Sequence, residues 1–469
     1  MLDRWPPVAW AALAAVLAFA LRAPFFGVPL TTDEGGYAEV ARLWSRGWSL
    51  YDETWVDRPQ GLLLVFRGIL HLDGGSVTAF RVVAALVAVA LVVLTMGVSA
   101  RVVGRIPAIL AGLLLSTLGV APRLESFTVA GEMLAAVPAA LTVLLFTFHL
   151  ADRRRLWLVA CGLLTGCAVM IKQSGFDGGL AVVAWLLITR RRAGIAPAIL
   201  VVGFAFVPVA LGVLLAGNAH DWWYAVVSYR SQGDSILSGS PVDRAKLFWG
   251  TAPAAALSLA PLVALAALGW RSMPLLVRLW LGAAMLALIG GGNFHPHYYL
   301  QLLPPLAIVA GGGASELLRR PRRPAVAVVA ALAALTIAGT VPLYLRSGAE
   351  QTHSLFPEDP HLPLSAPLAG WLRDNTRPEE PVLMLWAAAD VQYLADRDPP
   401  IPYLWYRNIQ TIPGALGQLQ HQLEPGGVRW VVVLHRPRKL DKSGTTSRLL
   451  YTNFHRVAMV DGVPIFERR

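Results

Sequence analysis

The chain has 469 residues, of which 55% are hydrophobic and only 15% charged, and its mean hydropathy is +0.54. Soluble domains carry about 25% charged residues, so a water-soluble fold that hides this much apolar surface is excluded and lipid must be the solvent for much of the chain. The net charge of +11 would suit a nucleic-acid binder, but it is held in short clusters between apolar runs, as membrane topology demands.

Met1-Leu2-Asp3-Arg4 is followed by a long apolar stretch without an A-x-A site, which reads as a first spanning helix although Arg22 interrupts the run. Apolar runs long enough to cross about 30 Å of hydrocarbon then recur. They predict about eleven spans, near 8–30, 76–100, 106–121, 127–150, 156–172, 177–189, 194–216, 247–270, 274–292, 298–316 and 324–345. The fifth and sixth are short enough to read alternatively as one bent pair dipping from the cytoplasmic side. Arg101 and Arg105, Arg153 to Arg155, Arg190 to Arg192, Arg271 and Arg278, and Arg319 to Arg323 all fall on the side of the N-terminus. Positive charge is retained in the cytoplasm, so that side is expected to be inside. The excess of arginine over lysine hints at a GC-rich bacterial genome, and hence at a bacterial plasma membrane.

The first outer loop, about 31–75, begins with Thr31, Thr32, Asp33 and Glu34. Tyr37, Val40, Ala41, Trp44 and Trp48 follow at three- and four-residue spacing, the pattern of an amphipathic helix lying on the outer leaflet. Thr32 or Asp33 can be its N-cap, but capping accounts for one acidic residue and not for a pair at the membrane surface. Asp57-Arg58-Pro59-Gln60-Gly61 makes a rigid turn near the headgroups. Its ion pair is either a surface contact worth under about 1 kcal/mol or part of a site.

Glu132, one turn inside the fourth span, is a carboxylate at lipid depth that must face a partner or water. Arg123 and Glu125, just before it, are candidates to line the same cavity. Cys161 and Cys167 share one apolar run and read as packing residues away from solvent. Lys172-Gln173 ends the fifth span, where the lysine either snorkels or contacts a phosphate. A second outer loop runs from about 217 to 246. His295-Pro296-His297-Tyr298-Tyr299 sits at the outer mouth of the tenth span. H-x-H can bind metal but lacks declared third and fourth ligands, and the histidines and tyrosines can equally cradle a lipid phosphate or form an aromatic belt. No metal or other cofactor is called for.

The last segment, 346–469, reads as an extracytoplasmic α/β domain beside a membrane domain of 1–345. Strands are expected over 381–386 and 428–434, helices over 368–374 and 416–423, and a final hairpin turned at Asp461-Gly462. Val431 to Val433 would be its central strand.

Taken together these residues resemble the GT-C membrane glycosyltransferases, specifically the protein-mannosyltransferase-like and aminoarabinose-transferase-like branch. Asp33-Glu34-Gly35-Gly36-Tyr37-Ala38 matches a D-E-x-x-Y-A motif, and Arg58-Pro59-Gln60-Gly61 imitates a K-P-P-L-like segment, with arginine for lysine and glutamine for the second proline. Glu132 matches the acidic residue of the fourth span, and Gly166 with Lys172 a G-x-x-x-x-x-K pattern. His295, Tyr298, Pro304 and Pro305 match the closing H/R-x-x-Y to P-P segment.

The resemblance covers about 10–315. It implies a sugar donor on a polyprenyl phosphate, dissolved in membrane lipid, and a glycan, lipid or protein acceptor. It also implies a carboxylate base, Asp33 with Glu34 as the fallback, and a phosphate cradle drawn from Arg58, Lys172, His295, His297 and Tyr298. Tyr37, Asp57, Arg123, Glu125, Glu132 and Gln173 would line the acceptor side or the cavity. Transfer would invert the anomeric centre. A transporter or lipid flippase is the competing class, and a catalytically dead lipid-sugar sensor a third. The clustering of polar residues at one face, rather than at mid-bilayer, favours an enzyme.

Overall fold

A computed structural model describes residues 6–229, 241–291, 294–385 and 388–469. Helices occupy the apolar runs in chain order. They are α1 (Pro7–Ala20), α4 (Val77–Val102), α5 (Arg105–Thr117), α6 (Gly131–Asp152), α7 (Arg155–Ile171), α8 (Asp177–Arg190) and α9 (Ile195–Leu215), then α11 (Pro241–Gly269), α12 (Leu275–Gly291), α13 (Leu303–Arg319) and α14 (Arg323–Leu345). Six helical segments among the described residues are long and apolar enough to cross a membrane. α7 and α8 are separate helices, and α7 packs on α6 and α9 rather than pairing with α8. α11 begins at Pro241, ahead of the expected start.

Local chemistry explains the boundaries. The hydroxyl of Ser76 accepts the N–H of Ala79 and starts α4. Gly104, at φ +130°, turns the chain from α4 into α5, a conformation other residues rarely adopt. The bundle is tight where side chains are absent. A Cβ on Gly162 or Gly166 would run into the α9 backbone, and one on Gly313 would meet Leu265 and Gly269 of α11. Small residues are what let spanning helices approach, since lipid supplies little hydrophobic drive between them. Large apolar side chains of α9 and α14 instead point outward, among them Val202, Phe206, Leu211, Leu335 and Ile337. Cys161 is buried as expected, whereas Cys167 is exposed on the outer face of α7 and is not a packing residue.

Arg22 follows α1 yet is only 3% exposed. It donates to the carbonyls of Ala18 (2.9 Å), Ser126 (3.0 Å) and Gly119 (3.2 Å). A buried guanidinium needs such acceptors, and the interruption in the first apolar run is therefore a tie to the loop before α6.

The first outer loop folds as α2 (Thr32–Ser45) and α3 (Gln60–Leu70), and the second carries the short α10 (Ala219–Trp223). α2 does not lie open on the leaflet. Its apolar stripe packs on α3, and its other face is covered by a helix of the C-terminal segment, Ala389–Ala395. Glu39, which lies off that stripe, is fully buried and paired with Arg42 at 2.7 Å. The N-cap is Thr31, neither Thr32 nor Asp33. Its hydroxyl accepts the N–H of Glu34 at 3.2 Å while Glu34 Oε2 accepts the N–H of Thr31 at 3.1 Å.

The C-terminal segment holds a four-stranded sheet in the order β1-β2-β4-β3, made of β1 (Val382–Leu385), β2 (Trp430–Val433), β3 (Phe454–Val460) and β4 (Val463–Arg468). β1 and β2 are parallel, and the β3–β4 hairpin joins antiparallel. Asp461 and Gly462 make its turn with positive φ. The strands alternate. Val382, Met384 and Val432 face Leu368 and Val391, whereas Leu383, Val431 and Val433 face Leu419 and Leu450. Helices therefore cover both faces, the arrangement that hides apolar strand positions on both sides.

This segment is clamped to the first outer loop. Arg46 meets Asp396 (2.9 Å) and Asp398 (3.0 Å), Tyr393 donates to the carbonyl of Gly75 at 2.8 Å, and Trp55 N–H donates to Pro402 at 3.2 Å.

Candidate active site at the membrane mouth

The N-terminus of α2, the start of α6 and the end of α7 converge. Three cavities meet there, and their shared walls define the site. A small polar pocket is lined by Asp33, Tyr37, Arg58, Glu125, Glu132, Lys172 and His297 among others. Through Glu132 and Lys172 it adjoins an apolar groove of about 1930 Å³, whose walls include Phe206, Val209, Val213, Trp223, Leu288 and Tyr298. Through Asp33 it adjoins a polar cleft of about 1030 Å³ between α2 and the C-terminal segment, walled by Asp359, His361, Asp390, Trp405 and His435.

The cations are held by carboxylates and rings. Lys172, the C-cap of α7, is buried, hydrogen-bonds Glu132, and stands 4.0 Å from the ring centre of Tyr298. His297 Nε2 is 3.9 Å from Glu132 Oε1, and its Nδ1 is 3.0 Å from Glu125 Oε2. Burial opposes charge on His297, but Glu132 and Glu125 outweigh it and raise its pKa to about 9. His295 stacks parallel to it at 5.6 Å. Burial, then the charge of His297, lowers its pKa to about 4. At neutral pH the pair is thus one imidazolium and one neutral ring. Arg58 pairs with Asp57 at 2.9 Å and lies 5.7 Å from the ring of Tyr37. Burial works against its charge, yet Asp57, together with Tyr37, raises its pKa well above the ordinary guanidinium value.

The two carboxylates of the acidic motif part company. Glu34 is buried. Its Oε1 accepts from Arg81 Nη1 (2.6 Å) and the N–H of Val129 (2.8 Å), while Oε2 serves the α2 cap. Arg81, wholly buried near the start of α4, also donates to the carbonyls of Val28 (3.2 Å) and Pro29. Glu34 is therefore a joint between α2, α4 and the loop before α6. Asp33, one residue earlier, faces both the pocket and the cleft, and its Oδ1 accepts from Trp405 Nε1 at 3.0 Å.

Of the remaining candidates, Gln173 donates to the carbonyls of Asp57 (3.0 Å) and Val226 (3.2 Å) at the edge of the groove. Arg123 turns away from the pocket and donates to the carbonyl of Gly339 in α14 at 3.3 Å. Among the described residues no three His, Cys, Asp or Glu side chains group as a metal site.

Arg81 and Trp405 were not singled out by the sequence, and Gln60 stood out only as part of the Arg58-Pro59-Gln60-Gly61 segment. Gln60 bridges the carbonyl of Gly212 (2.7 Å) and the indole of Trp222 (2.8 Å). Arg81 did carry a signal, a charge at the head of an apolar run. Trp405 carried none, since its partner is 372 positions away.

Residues 57–215 match the family model described as dolichyl-phosphate-mannose-protein mannosyltransferase. No curated protein sequence matches the chain significantly. The fold is similar to that of ArnT from Cupriavidus metallidurans bound to undecaprenyl phosphate, with 17% identity and a TM-score of 0.63 over 98% of this chain and 97% of that one. It is also similar to the oligosaccharyltransferase AglB from Archaeoglobus fulgidus in complex with an inhibitory peptide and a dolichol-phosphate, with 12% identity and a TM-score of 0.55 over 92% and 69% of the two chains.

Proposed function

We propose that this chain, which has the fold of the GT-C membrane glycosyltransferases, moves a sugar from a polyprenyl-phosphate donor to an acceptor hydroxyl outside the cytoplasm. The observation that carries the reading is the set of three cavities with shared walls: apolar groove, small charged pocket, polar cleft. The groove suits a prenyl chain, and its rim offers Lys172 and Tyr298 at headgroup depth. The two similar structures hold lipid phosphates, undecaprenyl phosphate in one and dolichol-phosphate in the other, which supports the same donor class here.

In this reading Lys172, His297 and Arg58 hold the phosphate, with Tyr298 and His295 beside them. Asp33 takes the proton of the acceptor O–H as that oxygen bonds to the anomeric carbon. The bond between that carbon and the phosphate oxygen breaks, and polyprenyl phosphate leaves. Attack opposite the leaving group inverts the centre. Cations fixed where negative charge accumulates lower the barrier without reorganising during the step, and a positioned carboxylate is an effective base. Glu34, with both oxygens engaged, has no part in this scheme beyond holding the motif in place.

The membrane arrangement belongs to the proposal too. The eleven apolar helices cross a bacterial plasma membrane with the N-terminus inside, and 346–469 stands outside as the acceptor-facing domain. Supplying membranes that contain the protein with radiolabelled polyprenyl-phosphate sugars tests the function: label must move to an acceptor and leave unlabelled polyprenyl phosphate. Labelled lipid that merely changes leaflet, with its sugar intact, would favour a flippase and end the reading.

A further inference from the structure

Asp33 is the residue shared by the polar pocket and the cleft, so its orientation decides which oxygen each cavity sees. Its Oδ1 accepts the indole N–H of Trp405 at 3.0 Å, and among the described residues no hydrogen bond reaches Oδ2. The indole is held from several sides. Its ring fills the space that a Cβ on Gly36 would need, and it lies 5.5 Å from the ring of Tyr37. The strand-like segment before it is pinned to the first outer loop by the hydrogen bond from Trp55 to Pro402 and the bridge between Trp55 and Tyr403.

Indole nitrogen is a donor only. It can fix one carboxylate oxygen without ever competing for the proton that the other must accept, which a hydroxyl or imidazole in its place would do. A base held within a narrow range of geometry is worth a large factor in rate.

From this geometry we propose that Trp405 is a positioning residue of the C-terminal domain that holds Asp33 Oδ1, turning Oδ2 toward the acceptor hydroxyl in the cleft. The inference rests on Asp33 being the base. Docking of the extracytoplasmic domain on α2 thereby becomes a condition for turnover, and the domain's part in the reaction is to complete the base.

The test is a double-mutant cycle on the full-length protein. Trp405→Phe keeps an aromatic ring at this position while removing the N–H together with part of the indole's bulk against Gly36. It is expected to lower kcat on the order of tenfold while leaving the donor KM and the unfolding midpoint unchanged. In an Asp33→Asn background the same substitution should cost nothing further, because its effect runs through the carboxylate. Equal losses in both backgrounds would reduce Trp405 to a structural residue and overturn the proposal. An impaired Asp33→Asn beside an unimpaired Trp405→Phe would overturn it alone. Normal turnover of Asp33→Asn would overturn the base assignment and this inference with it.

Discussion

The groove and the cleft adjoin the same pocket, one through Glu132 and Lys172 and the other through Asp33, and are built from opposite materials. The groove takes its walls from α7, α9 and α12, where Phe206, Val209, Val213 and Leu288 are apolar because the helices that carry them face hydrocarbon. The cleft takes its walls from the acidic start of α2 and from the C-terminal segment, where Glu358, Asp359, Asp390, His361 and His435 stand. Burial raises the pKa of Asp390, one carboxyl of this wall, to about 6, so it takes up its charge only as pH approaches neutrality. The proposed reaction, which joins a lipid-soluble donor to an acceptor hydroxyl outside the cytoplasm, calls for one wall of each kind, with charge concentrated at the seam. Glu132, Lys172, His297 and Arg58 supply that charge.

The comparison can be broken first at the seam's base. Asp33→Asn should lower turnover by about 10²-fold or more with donor binding nearly intact, the scale of general-base loss. A variant with normal kcat would leave the cleft without a chemical role. Second, Lys172→Gln should raise the donor KM by roughly tenfold while the acceptor KM holds, since a charged partner to phosphate is removed on the groove side only. Equal changes in both constants would show that the two cavities are not separate sites. The smallest expected effect is on pH dependence. The pKa of His297 is raised, so its positive charge is complete at neutral pH and is lost as pH rises through about 9. Donor affinity should therefore weaken across that range, and His297→Gln should weaken it at neutral pH and remove this step from the profile. A step that survives the substitution would assign it to another group.

Much of the molecule was legible in the primary structure, for a physical reason. Whether a run crosses lipid depends on its own length and composition, so most helices fall on the predicted runs with shifts of a few residues; α11 starts earlier, and α1 ends at Ala20 rather than near 30, where Arg22 turns inward to backbone carbonyls. The sheet of the C-terminal segment was equally readable, from an apolar run at Val382–Leu385, β-branched residues at Val431 to Val433 and a turn at Asp461-Gly462. The candidate residues Asp33, Arg58, Lys172 and His297 stood out as charge or imidazole beside apolar sequence, where such groups are costly unless used.

What the sequence determined by itself was thus the set of elements and the suspects among them, because both are properties of short windows. Which suspects touch was decided only in three dimensions. Adjacent carboxylates of one motif diverged because successive helix positions point about 100° apart: Glu34 turned inward to Arg81, and Asp33 turned to the cleft. Arg123, which reads like its neighbour Glu125, was drawn instead to α14. The α2 helix looked amphipathic and was expected on the leaflet, but the C-terminal segment covers its polar face, burying Glu39. Pairings such as Trp405 with Asp33 leave no trace in local pattern, since they depend on how two segments far apart in the chain come together rather than on the residues that flank each partner.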